Sequence, residues 1–309
     1  MKYRVLFLGT NAWACPILRH LQQTQQVVGV VTQPDKPAGR KREVVSSPVK
    51  VVAEELELVV HQPESAGEIV SLVRDPFDFL ITVSYGQYLP QKVLEMPTKD
   101  ALNVHPSPLP RYRGATPMQS ALLNGDKETG VSIIRMVKEM DAGPVFAQER
   151  FALPPGTNYP ALQEVCSLVG TTLLSSVLKT HDSITPKKQN EALATHCGKI
   201  RKEDGELRFD QDGAEQIYRK WLAYNPWPGI FFSFKDQKLS LTKIIPHPTR
   251  QELLPPGTIF QDGERVFVQT IRGCLEIQEV HLAGKTPMVI RDFLHGHPTL
   301  IQARLKTSV

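Results

Sequence analysis

Short apolar runs alternate with helical patterns through the first half of the chain. Val5 to Leu8 predicts a buried strand, and Pro16 to Leu21 opens a helix. Val27 to Val31 predicts the next strand and Pro48 to Leu56 the next helix, with proline at an early position that helices tolerate. Phe77 to Ser84 reads as a third strand, Ala101 to Val104 as a fourth and Val131 to Val137 as a fifth. Strands alternating with helices predict a Rossmann-like, mostly parallel sheet of the α/β class. Sites on such sheets lie beyond the carboxyl ends of the strands, near the switch point.

Past residue 186 the pattern changes. Thr185-Pro-Lys-Lys-Gln-Asn reads as a linker, and Ala214 to Ala223 as one more helix. Short strands follow at close spacing: Ile230 to Phe234, Leu239 to Ile245, Gly257 to Phe260, Val266 to Thr270 and Leu275 to Val280. Gly and Pro punctuate them, which suits a small OB-type β-barrel, with a generic β-rich extension as the alternative. A tail helix, Val289 to His295, follows. The expected organisation is a catalytic domain over 1–185, a linker over 186–205 and a second domain over 206–309.

Composition adds bounds. The 309 residues carry 36 Lys+Arg against 32 Asp+Glu, a formal charge of +4 that excludes a polycation but permits a local basic site. Cys15, Cys166, Cys197 and Cys274 form no C-x-x-C pair and have no His at ligand spacing, so neither a disulfide scaffold nor a metal site is expected. Apolar runs such as Phe77 to Val83 fall well short of the roughly 20 residues a membrane span needs. The first strand begins at once, leaving no room for a signal peptide, so a reduced cytoplasmic protein without membrane attachment is expected. No obligate protein partner is evident.

The turn after the first strand fails as a dinucleotide site. Gly9 is followed by Asn11, Ala12 and Trp13, where the fingerprint needs two further glycines and a bare backbone.

The chemistry concentrates in Ala101-Leu-Asn-Val-His-Pro-Ser-Pro-Leu-Pro-Arg-Tyr-Arg-Gly-Ala. Asn103 and His105 are two apart, so on an extended strand end they project to one side. Asp141 lies on a loop after a later strand. Alone, each has a bland reading as a loop or turn former. Together, at the ends of one parallel sheet, they could converge on one reacting carbon. An amide and an imidazole would donate to an oxyanion, and a carboxylate would orient the imidazole or take a proton. No Ser or Cys stands in a nucleophile elbow, which favours direct transfer.

These residues resemble the signature of the 10-formyltetrahydrofolate-dependent formyltransferases. The resemblance implies that Asn103, His105 and Asp141 are catalytic. It also implies that Ser107, Pro108, Leu109 and Pro110 contact the folate cosubstrate, while Tyr85, Gly86, Gln87, Tyr88 and Leu89 hold its pterin through backbone groups. It extends over nearly the whole chain, through Lys36-Pro-Ala-Gly-Arg-Lys-Arg, Ser47-Pro-Val-Lys and Asn225-Pro-Trp-Pro-Gly. That extent points to the branch whose acceptor is the α-amine of methionyl-initiator tRNA. Trp13 stands where the family has Phe, and Pro108 replaces a Leu, removing one backbone N–H.

Lys36, Arg40, Lys41 and Arg42 cluster in a long connection after the second strand. The bland reading is a solvated polar loop, but connections of this length without regular structure tend to be functional. The resemblance implies that this loop enters the tRNA acceptor arm. Lys220, Lys235, Lys238, Lys243 and Arg250 add scattered positive charge, while Trp221, Trp227 and Phe231-Phe232 are expected to pack in a core or at a junction. Two other readings stay open: a formyltransferase or hydrolase acting on a small amine or water, and a silent RNA-binding relative.

Overall fold

A computed structural model describes residues 2–38, 43–301, 303 and 305. The strands, in chain order, are β1 (Arg4–Gly9), β2 (Gln26–Val31), β3 (Lys36–Ala38), β4 (Glu43–Val45), β5 (Val60–His61), β6 (Phe79–Val83), β7 (Asp100–His105), β8 (Arg113–Gly114), β9 (Glu128–Arg135), β10 (Val145–Ala152) and β11 (His196–Cys197). The main helices among them are α1 (Cys15–Thr24), α2 (Pro48–Glu55), α3 (Ile69–Leu72), α4 (Gln91–Leu94), α5 (Pro117–Asn124) and α6 (Tyr159–Thr180).

Seven strands form one sheet in the order β10-β9-β7-β6-β1-β2-β5. The strands from β7 to β5 are mutually parallel, as the alternating pattern predicts. Buried on both faces, β1 and β6 are continuous apolar runs, Val-Leu-Phe-Leu and Phe-Leu-Ile-Thr-Val. Helix α1 turns Ile17, Leu18 and Leu21 inward. Each such side chain contributes about 1.5–3 kcal/mol of burial. Ser47 caps α2, accepting from the Lys50 N–H at 3.1 Å.

Two strands depart from the parallel expectation. β9 runs antiparallel to β7, pairing Leu102 with Arg135 and His105 with Ser132, and β10 runs antiparallel to β9. The loop that carries Asp141 therefore does not leave the carboxyl end of a parallel strand. It starts beside the amino half of β7, where the Met136 N–H donates to the Ala101 carbonyl, and folds back along the strand.

The basic connection also differs from expectation. β3 and β4 pair in an antiparallel ladder, Lys36 with Val45 and Pro37 with Val44. Lys36 sits on this ladder, while Arg40, Lys41 and Arg42 lie outside the described residues. At its base, Asp35 accepts from Lys50 Nζ at 2.5 Å and from Gln62 Nε2 at 2.7 Å. These bonds hold the Asp35 carboxyl below its ordinary range, the Lys50 bond contributing most.

Helix α6 was not marked by the apolar runs. Over Tyr159–Ser183 the chain is long and apolar enough to cross a membrane by length and composition alone, with a mean hydropathy of 1.4. Its inner face is committed to the sheet. Leu162, Cys166, Leu174 and Val177 are buried, and Ser167 Oγ donates to the Trp13 carbonyl at 2.9 Å.

The chain divides into two compact units. The first holds residues 1–118, 127–154 and 161–198, and the second holds 119–126, 155–160 and 199–309. The second unit contains α7 (Ala214–Tyr224), β12 (Ile230–Phe234), β13 (Gln237–His247), β14 (Ile259–Asp262), β15 (Arg265–Gln269), β16 (Cys274–Leu282), β17 (Met288–Val289) and α8 (Ile290–Gly296). Its antiparallel sheet runs β12-β13-β16-β15-β14, with β17 added beside β16. The five short apolar runs are thus strands of one all-β sheet.

The aromatics of this unit do not all pack inward. Phe232 is buried, and Trp221 stacks on Tyr218 while its indole N–H donates to the Thr242 carbonyl at 3.2 Å. Trp227 instead is 57% exposed. It stands between two prolines in the Asn-Pro-Trp-Pro-Gly turn.

Candidate active site

The site grows from the end of β7. Asn103 pairs with Thr82 of β6, and His105 closes the strand two residues later. His105 is buried, and its Nε2 lies 2.9 Å from the Tyr112 carbonyl oxygen. A carbonyl only accepts, so Nε2 carries the hydrogen and Nδ1 is the nitrogen left for other work. Nδ1 stands 3.6 Å from Asp141 Oδ1. The same carboxylate oxygen accepts from Asn103 Nδ2 at 3.3 Å, and Oδ2 accepts from the Gly114 N–H at 2.8 Å.

Amide, imidazole and carboxylate therefore meet around one point, as the spacing of Asn103 and His105 led one to expect. Asp141 arrives there in a left-handed backbone conformation, φ 53°. Such a conformation costs a non-glycine residue of order 1 kcal/mol and persists only where neighbours hold it.

Those neighbours come from residues 187–198, inside the stretch expected as a linker. The Gln189 side-chain amide donates to the carbonyls of Asp141 and Gly143, both at 2.7 Å. Its oxygen accepts from Arg113 Nε and Nη2 at 3.1 and 2.9 Å. Arg113 in turn pairs with Glu191 through two bonds of 2.8 Å. That pairing pushes the guanidinium pKa up and the Glu191 carboxyl down, against the opposing effect of burial. β11 runs parallel to β8, and Thr195 Oγ1 accepts from the Tyr112 N–H at 2.8 Å. Of these residues, Arg113 and Gly114 lay within the informative block. Gln189, Glu191 and Thr195 carried no sequence signal.

The loop Ser107 to Pro110 continues directly from His105. Buried Ser132, on β9, donates from Oγ to the Ser107 carbonyl at 2.7 Å and accepts from the Leu109 N–H at 3.2 Å. Gln148 Nε2 bonds both Ser132 Oγ, at 2.9 Å, and the Leu109 carbonyl, at 2.8 Å. Ser107 Oγ donates to the Arg111 carbonyl at 2.6 Å. Pro108 thus sits in a loop whose form is set by side chains of β9 and β10.

The other candidate folate segment follows β6, the neighbour of β7. The Tyr85 carbonyl accepts from Thr10 Oγ1 at 2.9 Å and Gln33 Nε2 at 3.0 Å. Gly86 follows at φ +85°. Among the described residues no backbone hydrogen bond engages the N–H groups of Gly86, Gln87 or Tyr88. Free donors at a strand end fit a ligand held by its heteroatoms. Leu89 is buried, Tyr88 exposed. Lys36 joins this edge through Gln33, donating from Nζ to Oε1 at 2.8 Å.

Known proteins resemble the chain over nearly its whole length. Residues 1–178 match the formyl transferase family model, and residues 199–298 match the model of the formyl transferase C-terminal domain. A methionyl-tRNA formyltransferase of Thermus thermophilus is 37% identical over 306 residues, covering 98% of this chain and 99% of that protein. The fold is also that of HypX from Aquifex aeolicus, solved in complex with tetrahydrofolic acid (TM-score 0.63, 20% identity). That overlay covers 95% of this chain but only 47% of HypX, so the chain spans about half its length. WlaRD, a sugar 3N-formyl transferase solved with 5-N-formyl-THF, overlays with a TM-score of 0.65 at 15% identity, covering 93% of this chain and all of that one.

Proposed function

The chain belongs to the formyl transferase family, and on that premise we propose that it transfers the formyl group of 10-formyltetrahydrofolate to the α-amine of methionyl-initiator tRNA, giving N-formylmethionyl-tRNA for translation initiation in the cytoplasm. The observation that carries this reading is the meeting of Asn103, His105 and Asp141 on one carboxylate oxygen.

The nucleophile asks for little activation. An α-amine titrates at about 7.7–8.0 and an ester neighbour lowers it, so much of it is neutral near pH 7. The C–N bond forms as the amine attacks the formyl carbon, and the carbonyl oxygen becomes an oxyanion. Asn103 Nδ2 donates to it, and His105, whose Nε2–H stays on the Tyr112 carbonyl, donates from Nδ1 in its doubly protonated form. The attacking nitrogen must lose a proton and the departing folate nitrogen must gain one. Asp141, facing both donors, orients His105 and relays that proton through water as the bond to the folate nitrogen breaks.

Ser107 to Pro110 and Tyr85 to Leu89 flank this point and form the folate side of the site, the second segment through its unengaged N–H groups. Lys36, with Arg40, Lys41 and Arg42, supplies phosphate contacts to the tRNA, which makes binding fall steeply with salt.

The test is a single assay: methionyl-initiator tRNA with 10-formyltetrahydrofolate, following formyl-methionine. Asn103→Ala, His105→Ala and Asp141→Ala should each lose most of kcat, of order 10²–10³-fold, while still binding tRNA. Near-normal turnover in any two of them defeats the assignment. Activity on a small amine or on water, without activity on the tRNA, would move the chain to another acceptor class of the same family.

A further inference from the structure

We propose that Gln189 is a positioning residue for the reaction: it sets the pose of Asp141 by clamping the backbone on both sides of it, and Arg113 with Glu191 sets the pose of Gln189. The inference rests on the reading of Asp141 as the proton relay. Gln189 lies between the two matched family segments, which end at residue 178 and resume at 199.

The bonding of Gln189 is complete. A primary amide has two N–H donors and an oxygen with two lone pairs. Here both donors are spent on the carbonyls of Asp141 and Gly143, and both lone pairs on Arg113. The residue is only 7% exposed, so water does not compete for these bonds. Arg113 is buried too, and its charge pulls on the amide oxygen, which strengthens the two donated bonds.

Geometry explains why such a clamp is needed. The loop after β9 leaves beside the amino half of β7 and has to double back to bring Asp141 to Asn103. Asp141 sits at φ 53°, so the pose is not the loop's own preference. The Gly114 N–H fixes the carboxylate end of the residue, and Gln189 fixes its backbone end. Without the second hold, the carboxylate would pivot about the first. A displacement of about 1 Å at a reacting group is enough to cost of order 10²-fold in rate.

Two variants and one epistasis measurement test this. Gln189→Met keeps the length of the side chain and removes all four bonds. Gln189→Glu keeps the acceptor toward Arg113 but turns an oxygen onto the two carbonyls. Both should lower kcat for tRNA formylation by of order 10²-fold, with KM for tRNA and for 10-formyltetrahydrofolate within about twofold of the parent, since Gln189 faces neither substrate in this reading. Placed in an Asp141→Ala background, either substitution should cost nothing more, because its effect runs through Asp141.

Unchanged kcat in Gln189→Glu, or an equal further loss in the Asp141→Ala background, overturns the inference. So does a rise in both KM values in place of a fall in kcat. Near-normal kcat in Asp141→Ala removes the reading of Asp141 and this inference with it. Full loss in Asp141→Ala beside normal kcat in the Gln189 variants removes this inference alone.

Discussion

The backbone N–H of Gly114 donates to Oδ2 of Asp141 at 2.8 Å, across 27 positions of sequence. The position admits only glycine, for two reasons. Its φ is +120°, and a Cβ there would overlap the carbonyl oxygen of Cys197. Gly114→Ala should therefore cost about 1–3 kcal/mol of stability and push β8 away from β11. The carboxylate would lose its N–H partner, so kcat should fall more than tenfold in the formylation assay at a temperature where the variant is still folded. A variant with parental melting temperature and parental kcat would contradict the role of this bond.

Ser132 is a second structural hinge of the site. Its hydroxyl serves the Ser107 carbonyl, the Leu109 N–H and Gln148 at once, in a fully buried place. Ser132→Ala removes one bond from each of these groups, while the Leu109 N–H keeps the Ser107 carbonyl at 3.0 Å and Gln148 keeps the Leu109 carbonyl at 2.8 Å, so each lost bond costs about 0.5–1.5 kcal/mol. If Ser107 to Pro110 contact the folate, KM for 10-formyltetrahydrofolate should rise while KM for tRNA holds. Steady-state kinetics with each substrate varied in turn gives both values.

Tyr85 points the other way. Its ring is in the core beneath the sheet, among Leu6, Leu8, Leu80 and Val93, and its hydroxyl has no partner among the described residues. Burial pushes its pKa up to about 12, so it stays neutral at any working pH. An unpaired buried hydroxyl is a cost that Tyr85→Phe removes. The urea midpoint should move upward, by about 1 kcal/mol of stability. A lower midpoint would reveal a partner for the hydroxyl.

Glu191 ties the Gln189 clamp to pH. Its bond from Arg113 holds its carboxyl below the ordinary glutamate range. A carboxyl depressed in the folded state adds stability that is complete above about pH 4.3 and is lost as pH falls through the lowered value. The parent should thus lose melting temperature faster than Glu191→Gln on acidification below about pH 4.3. Since the side chain is mostly exposed, the difference should be modest and should shrink in high salt. Identical acid profiles would show that the pair contributes nothing measurable.

The parts of the fold that the sequence made legible are those where hydrophobicity reports burial directly. β1, β2 and β6 are nearly uniform apolar runs, and β12 coincides with the run Ile230 to Phe234. Helix α6 hid for a physical reason. Ser167, Thr171 and Gly170 occupy its inner and flanking positions, residues that weaken a helical pattern read from composition. Gly170 is there because β7 passes close by: a Cβ would stand 2.9 Å from Val104 Cγ1. The reversal at β9 was illegible because an apolar run has no direction.

For the candidate site the division is similar. Asn103 and His105 were readable from a strand period of two. Gln189 was not, since a polar residue in a polar stretch looks the same whether it faces water or clamps a backbone. Trp227 misled in the opposite sense, a large aromatic that packs nowhere inside.

The loop that doubles back to Asp141 gives the chain's order a meaning in time. Asn103 and His105 are made first, Asp141 follows, and the amide that holds its backbone comes 48 residues later. At about 5–20 residues per second of synthesis, that interval lasts roughly 2–10 s. During it a growing chain already carries all three polar groups and lacks the clamp that poses one of them. In the reading proposed above, the site is complete only once residue 189, which lies outside both matched family segments, has been made.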